Sequence, residues 1–373
     1  MTYSESDSMD HATIVRWLRE TDPRRLERLW TRADAVRREQ FGDAVFLRGL
    51  VEVSNTCSRN CLYCGVRASN RQIVRYRMTP DEVFDCAQKA VQFGYGTLVL
   101  QAGEDPQLDV EQMTTLIRRI RSETPLAITL SLGERTAEEL AAWRAAGANR
   151  YLLRFETSNQ DLYAAIHPRS GKKNPDGTPV EANRLRILRT LREVGFEVGS
   201  GVMIGIPGQR YDDLANDIEL FRTLDLDMIG VGPFLASPDT PLAGSRELLR
   251  NLSPCFDIPP EEQVPSSAEM TYKVVALARL LCPASNIPAT TALATINSVE
   301  GRILGLARGA NIIMPNLTPL QYRELYTIYP GKSGLHETAE AVNAVIQKQI
   351  VASGRTLGVG AGTSRNFLKR CDS

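Results

Sequence analysis

The chain has 373 residues, 43% hydrophobic and 24% charged, the composition of an ordinary soluble globular protein. Its 44 basic and 44 acidic residues cancel, so no broad basic field exists to attract nucleic acid. No apolar run approaches the roughly 20 residues of a membrane helix, and the acidic, serine-rich residues 1–10 hold no signal-peptide core; the expectation is a cytoplasmic protein in reducing surroundings, with no membrane partner.

In chain order, residues 11–40 read as two short amphipathic helices broken at Asp22-Pro23. Residues 1–45 are therefore expected as an N-terminal helical extension, a lid or a barrel plug. After Phe46, short apolar runs alternate with helical periodicity, the signature of βα units around a parallel sheet. Strands are expected at 50–53, 97–101, 126–131, 150–153, 199–204, 228–231, 287–289 and 311–314. Between them lie helical stretches at 79–93, 109–122, 137–146, 181–193, 211–224 and 267–281. Thr79 with Pro80 makes a good helix start, a capping hydroxyl followed by proline in the first turn. Eight such units make an α/β fold, a (β/α)8 TIM-like barrel over residues 46–373 that includes C-terminal helices. A six-unit open barrel with a separate C-terminal domain is the alternative.

The first strand feeds a loop with three of the seven cysteines, Cys57, Cys61 and Cys64, spaced C-x3-C-x2-C. Three thiolates cannot close a structural zinc site, which wants four ligands, and His11, His167 and His336 are all remote in sequence. A disulfide would leave one thiol over. Three thiolates on a compact loop do suit an iron–sulfur cube, which normally takes four. One iron would then be open to a substrate or cofactor.

With Tyr63 before its last cysteine, this motif resembles the radical S-adenosylmethionine (SAM) enzymes. The resemblance implies one [4Fe–4S] cluster on the three cysteines, as metal ligands and catalytic centre. It also implies SAM chelated at the open iron and cleaved to a 5′-deoxyadenosyl radical.

Polar residues recur at the expected strand ends, and the C-terminal face of such barrels carries the active site. Gly103 lets backbone approach a ligand, and Glu104 offers negative charge to an ammonium; in the family the matching Gly-Glu segment binds the SAM amino group. Gln101 and Tyr63 are expected as SAM neighbours, and Ser131 could reach its sugar or carboxylate. Glu156 could accept from both ribose hydroxyls, and Arg154, two residues before it, could grip an anion with its fork. The two could equally pair with each other. Arg184 is assigned to the SAM carboxylate by the resemblance alone. Met203 and the Gly205-Ile206-Pro207-Gly208 turn could pack against adenine. Thr290, Thr291, Met314, Tyr322 and Tyr326 come late in the chain and are expected, with Arg154, on the substrate side.

The segments RYRMTP (75–80), VLQAGEDP (99–106), TLSLGE (129–134), RYLLR (150–154), GPF (232–234) with PDTP (238–241), and NIPATTA (286–292) resemble the HydE family of [FeFe]-hydrogenase maturases over most of the chain. That implies action on an organometallic iron–cysteine species from a HydG-type maturase, with a reductant such as ferredoxin or flavodoxin. It also implies an anion-lining side made by Arg154, Thr290, Thr291, Met314 and Tyr326. The sequence departs from the family in three places. Cys255, Cys282 and Cys371 are scattered, so a second cluster is not expected; Phe155 stands where the family often has histidine; and residues 169–180 look inserted. A methylornithine synthase-like mutase is the nearest rival. Biotin synthase needs further strand cysteines, and Cys86 falls on a helix. A non-catalytic iron–sulfur carrier or scaffold is the alternative outside the enzymes.

Overall fold

A computed structural model describes residues 9–168, 183–298 and 300–371; the inserted stretch lies outside these. Named strands are β1 (Ala44–Ser54), β2 (Thr97–Ala102), β3 (Ala127–Ser131), β4 (Arg150–Leu152), β5 (Glu197–Ser200), β6 (Met203–Ile204), β7 (Met228–Ile229), β8 (Gly232–Pro233), β9 (Ile312–Ile313) and β10 (Thr356–Leu357). β1 to β5 pair in sequence order, all parallel, and β5 pairs with β7. Single bridges from Met228 to Asn286 and from Pro288 to Ile312 carry the ring onward, and β9 pairs with β1 to close it. The segment around 286–288 is thus the seventh of eight staves, kept short because Pro288 has no N–H to donate. This is the expected barrel.

The helices form where local signals agree with the apolar stripe. Pro80–Gln92 starts with a reciprocal capping box between Thr79 and Glu82, and Ala137–Ala145 with one between Thr136 and Glu139. His11–Arg19 and the longer Pro23–Phe41 are separated at the Asp22 cap as expected. They pack on the outer helices Tyr211–Thr223 and Ala268–Leu281, a buttress rather than a lid or plug. Among the described residues no helix is long and apolar enough to cross a membrane.

Two expected strands shift. β1 begins six residues earlier than expected and carries Arg48, fully buried. The stretch expected at 199–204 starts at buried Glu197 and breaks after Ser200, and Met203–Ile204 re-forms as a separate strand paired with β8. Both shifts admit a charged residue to the barrel floor. There Arg150 pairs with Glu197 at 2.5 Å and donates to the carbonyl of Ala361 at 3.0 Å. Arg48 donates to the carbonyl of Gly362 at 3.0 Å, and Asn286 to the same oxygen at 2.8 Å. Glu197 accepts from the amide of Ser364 at 2.7 Å. β10, paired with the start of β1, leads the chain into this position. The C-terminal segment therefore seals the floor, and the barrel opens at its other end.

Candidate active site

The cysteine loop follows β1 at the open end. Arg75 pins it by donating to the carbonyls of Asn55 (2.6 Å), Val66 (2.7 Å), Arg67 (2.7 Å) and Asn70 (3.1 Å). Asn55 adds bonds from its amide to the carbonyls of Val74 and Leu325, each 2.8 Å. A small apolar cluster including Ile166, Met203 and Phe234 supports Leu62 and Tyr63 from beneath. The tyrosine hydroxyl lies 2.9 Å from His167 Nε2. His167 is held neutral well below the usual histidine range, by burial first and then by the Arg184 charge.

Cys57, Cys61 and Cys64 are free thiols. Among the described residues no three histidine, cysteine or carboxylate side chains converge as they would on a single ion. A cubane asks for something different, because each cysteine takes an iron at its own corner. Burial pushes all three thiols up, Cys61 to about 12. Alone they stay protonated; iron cations would supply the charge that lets them ionise. The backbone amide of Arg59 points at Cys57 Sγ from 3.4 Å, the kind of contact that tunes cluster sulfur. The β2 turn presses against the loop, where a Cβ on Gly103 would meet the Thr56 carbonyl at 2.5 Å and Cys57 Cβ at 2.8 Å. The donor set, its spacing and this crowding fit the cluster.

Beside the loop lies a charged group that sequence reasoning only half found. Glu104 gives its backbone carbonyl to the amide of Ser58 at 2.9 Å, and its carboxylate takes the amide of Glu134 at 3.0 Å. Burial, then the Glu134 charge, pushes the Glu104 carboxyl up. Gly133 is held at φ +81°, and a Cβ there would strike the Glu104 carboxyl at 2.5 Å. Glu134 bridges Arg59 (2.6 Å) and Arg184 (3.0 Å). Burial raises its carboxyl, but Arg184 and Arg59 outweigh it and hold the group ionised. Arg184 also donates to the carbonyl of Arg154 at 2.7 Å and sits over the Tyr163 ring. Arg59 and Glu134 had no signal beyond adjacency to the motif and a strand end.

A cavity of about 300 Å³ opens inside the barrel beneath this group. Its wall includes Tyr63, Cys64 and Gln101 on the cluster side, and Arg154, Glu156 and Met203 beyond β4 and β5. Thr290, Thr291 and Met314 line it from the last staves. Nine of the expected residues therefore meet at one space. Tyr326 stands behind Gln101, its hydroxyl 3.3 Å from the amide. Ser131 is opposite Gln101 in register and half buried, outside the cavity wall. Tyr322 turns outward to Glu82 at 2.7 Å and stacks on Tyr76.

Two features mark the far wall as polar and poised. Glu156 is a non-glycine residue at φ +67°, a conformation with a cost that active sites hold in place. Its amide donates to Gly201 and its carbonyl accepts from Met203. Arg154 lies 3.1 Å from the Glu156 carboxylate, and also donates to the carbonyl of Val202. The pair forms, and Arg154 still keeps a donor: its Nε, like Thr290 Oγ1, is buried without a hydrogen-bond partner. Among the wall residues that sequence reasoning missed are two charged ones, Glu52 and Lys332. Glu52 is one polar position in a short strand, and Lys332 sits in an irregular loop after Pro330-Gly331.

Comparison with known proteins agrees with this geometry. Residues 51–221 match the model of the radical SAM superfamily. The [FeFe] hydrogenase maturase subunit HydE of Thermotoga maritima is 43% identical over 332 residues, 89% of this chain and 87% of that one. The 3-methylornithine synthase of Methanosarcina barkeri is 30% identical over 296 residues, 79% of this chain and 75% of its own. In fold, the chain is similar to the crystal structure of methylornithine synthase (PylB), with a TM-score of 0.74 at 24% identity over 98% of this chain and 97% of that one. A cysteine loop shaped for a cubane, at the open end of a parallel eight-stave barrel, together with this likeness over nearly the whole chain, makes the protein an enzyme of the radical SAM superfamily and, within it, a member of the HydE family.

Proposed function

We propose that this enzyme is a HydE-type maturase that acts on an organometallic iron–cysteine precursor of the [FeFe]-hydrogenase active site. The observation that carries the reading is the sharing of one cavity by Cys64 and the unsatisfied Arg154–Thr290 wall, which sets the cluster loop and a polar substrate surface around the same space. When bound, the cluster supplies one electron that cleaves SAM to a 5′-deoxyadenosyl radical. The chain's own residues do the rest. Cys57, Cys61 and Cys64 would hold three irons. Glu104 would take the SAM ammonium, Arg184 its carboxylate, and Glu156 its ribose hydroxyls, with Tyr63 and Met203 beside the adenosyl group and Gln101 and Ser131 as further neighbours. Arg154 Nε and Thr290 Oγ1, donors that have no partner within the protein, would take an anionic part of the substrate, with Thr291 and Met314 bounding that space and Tyr326 backing Gln101. The sealed floor closes one end of the chamber, which limits the paths by which water could reach a radical.

The precursor would come from a HydG-type maturase and the electron from a ferredoxin or flavodoxin, in a reducing cytoplasm. The decisive experiment is electron paramagnetic resonance on anaerobically reconstituted, reduced protein, followed by 5′-deoxyadenosine assay with the HydG-type product or with lysine. A cubane signal that shifts on adding SAM, with nucleoside formation stimulated by the iron–cysteine species, is expected. A signal indifferent to SAM would remove the enzyme mechanism, and stimulation by lysine alone would move the chain to the mutase side of the family. Replacing any of Cys57, Cys61 or Cys64 by Ala is expected to abolish SAM cleavage, read as 5′-deoxyadenosine.

A further inference from the structure

Two ion pairs line the cavity. Arg154–Glu156 lies just beyond β4, and Glu52, from β1, pairs with Lys332. β1 and β4 stand three staves apart in a ring of eight, so the pairs occupy well-separated walls of one lumen. The second pair has no part in the chemistry described above. Lys332 donates to the Glu52 carboxylate and to the carbonyl of Tyr326 at 3.2 Å. An ammonium has three N–H donors, and those two contacts account for two. Glu52 is fixed from behind: Asn316 donates to its second oxygen at 3.0 Å, and its own amide donates to Thr318 Oγ1 at 2.8 Å. Each carboxylate oxygen keeps lone pairs to spare.

A buried ion pair is weak evidence of a stabilising role, because apolar side chains of the same volume generally do as well. This pair is buried and yet fronts an open cavity, which suits recognition better than support. Charge then selects the ligand. A simple anion gains from Lys332 what it loses to Glu52, and a simple cation does the reverse. A zwitterion gains at both ends, and the α-amino-acid group is one whose two charges are as close together as those of the pair.

We propose that Glu52 and Lys332 form an α-amino-acid subsite, in which the ammonium of Lys332 takes the ligand's carboxylate and the carboxylate of Glu52 takes its ammonium. The inference rests on reading this cavity as the substrate chamber. It assigns the cysteine-like end of the substrate to the β1 wall and leaves the Arg154–Thr290 wall for another anionic group. Burial lowers the Lys332 ammonium from its ordinary range, and Glu52 opposes that, so the charge on the lysine depends on an acid partner being present.

The test is calorimetry on the anaerobically reconstituted holoenzyme. The probe is S-methyl-L-cysteine, which has no free thiol to ligate iron, compared with its deamino analogue 3-(methylthio)propanoate. The wild-type protein is expected to favour the amino acid by about tenfold or more. Glu52→Gln should erase that preference, and Lys332→Met should weaken both ligands. Lys332→Met strands a buried carboxylate, so the double variant E52Q/K332M, which removes both charges, supplies the folded control by circular dichroism. It should bind neither probe measurably. A purely structural pair would leave the preference untouched. A wild-type protein with no preference, or an E52Q/K332M protein that keeps it, would overturn the proposal. 5′-Deoxyadenosine formation separates the two readings: preference without SAM cleavage sinks the maturase reading and upholds the subsite, and cleavage without preference sinks the subsite alone.

Discussion

Arg75 is the residue on which the geometry of the cysteine loop depends most. Its guanidinium reaches four backbone carbonyls from positions 55 to 70, the span that contains all three cluster cysteines. A hydrogen bond from a charged donor contributes about 1.5–3 kcal/mol where water does not replace it. Arg75→Met is therefore expected to cut iron retained per chain severalfold after reconstitution, with the far-UV circular dichroism of the barrel unchanged. Equal iron in both proteins would show that the loop holds its shape without it. The cysteines were legible because their spacing is itself the signal. Arg154 and Thr290 were legible through the family's segments. Glu52 and Lys332 were not, because a buried pair joins positions 280 residues apart in sequence, and neither partner alone departs from an ordinary strand or loop residue. Tyr322 went the other way: it follows the last staves in sequence but turns to cap the 80–92 helix region through Glu82.

At the scale of elements, the helix Tyr211–Thr223 buries Asp217 beneath the turn that follows β6. The carboxylate accepts from the amide of Ser158 at 2.5 Å and from the Gln209 side chain at 3.3 Å. Burial outweighs these bonds and pushes its pKa up to about 7. A carboxyl whose folded pKa exceeds its unfolded value binds more protons when folded, so stability falls as pH rises from about 4 towards 7. The thermal midpoint of wild type should therefore drop across this window relative to Asp217→Asn, and the gap between the two proteins should widen with pH. Parallel curves would assign Asp217 an ordinary pKa. The helices given ranges before residue 282 lie within a few residues of those ranges because caps and apolar stripes are local, whereas later ones such as Ala339–Ala352 had no predicted range. The strands slipped where the rule of apolar staves failed. Glu197 and Arg48 lay outside the expected strand ranges, and the tertiary pairing of the floor accommodates them in strands.

For the whole molecule, the barrel was readable from eight alternations of pattern. Its closure was expected too, from the strands at 287–289 and 311–314, and the structure makes it through isolated bridges at Asn286 and Pro288 and the pairing of β9 with β1. The floor was not readable: it is made by residues 361–364, which carry no apolar run and meet buried charges from β1, β4 and β5. Truncation after Gly354 would strip carbonyl partners from Arg48 and Arg150. Leaving buried charged donors unpaired is costly, about 1–3 kcal/mol or more for each group. The truncated chain is expected to lose several degrees of thermal midpoint, or to be recovered only as aggregate, measured by scanning calorimetry on the soluble fraction. An unchanged midpoint would mean that the segment only covers the barrel.

That floor also governs traffic. A chamber closed at one end is a cul-de-sac, and SAM at the cysteine loop would stand in its doorway. Whatever is to be modified has to arrive first and depart last. Binding should be compulsory in order, and a probe already inside should leave more slowly once SAM is added, which stopped-flow displacement would read directly.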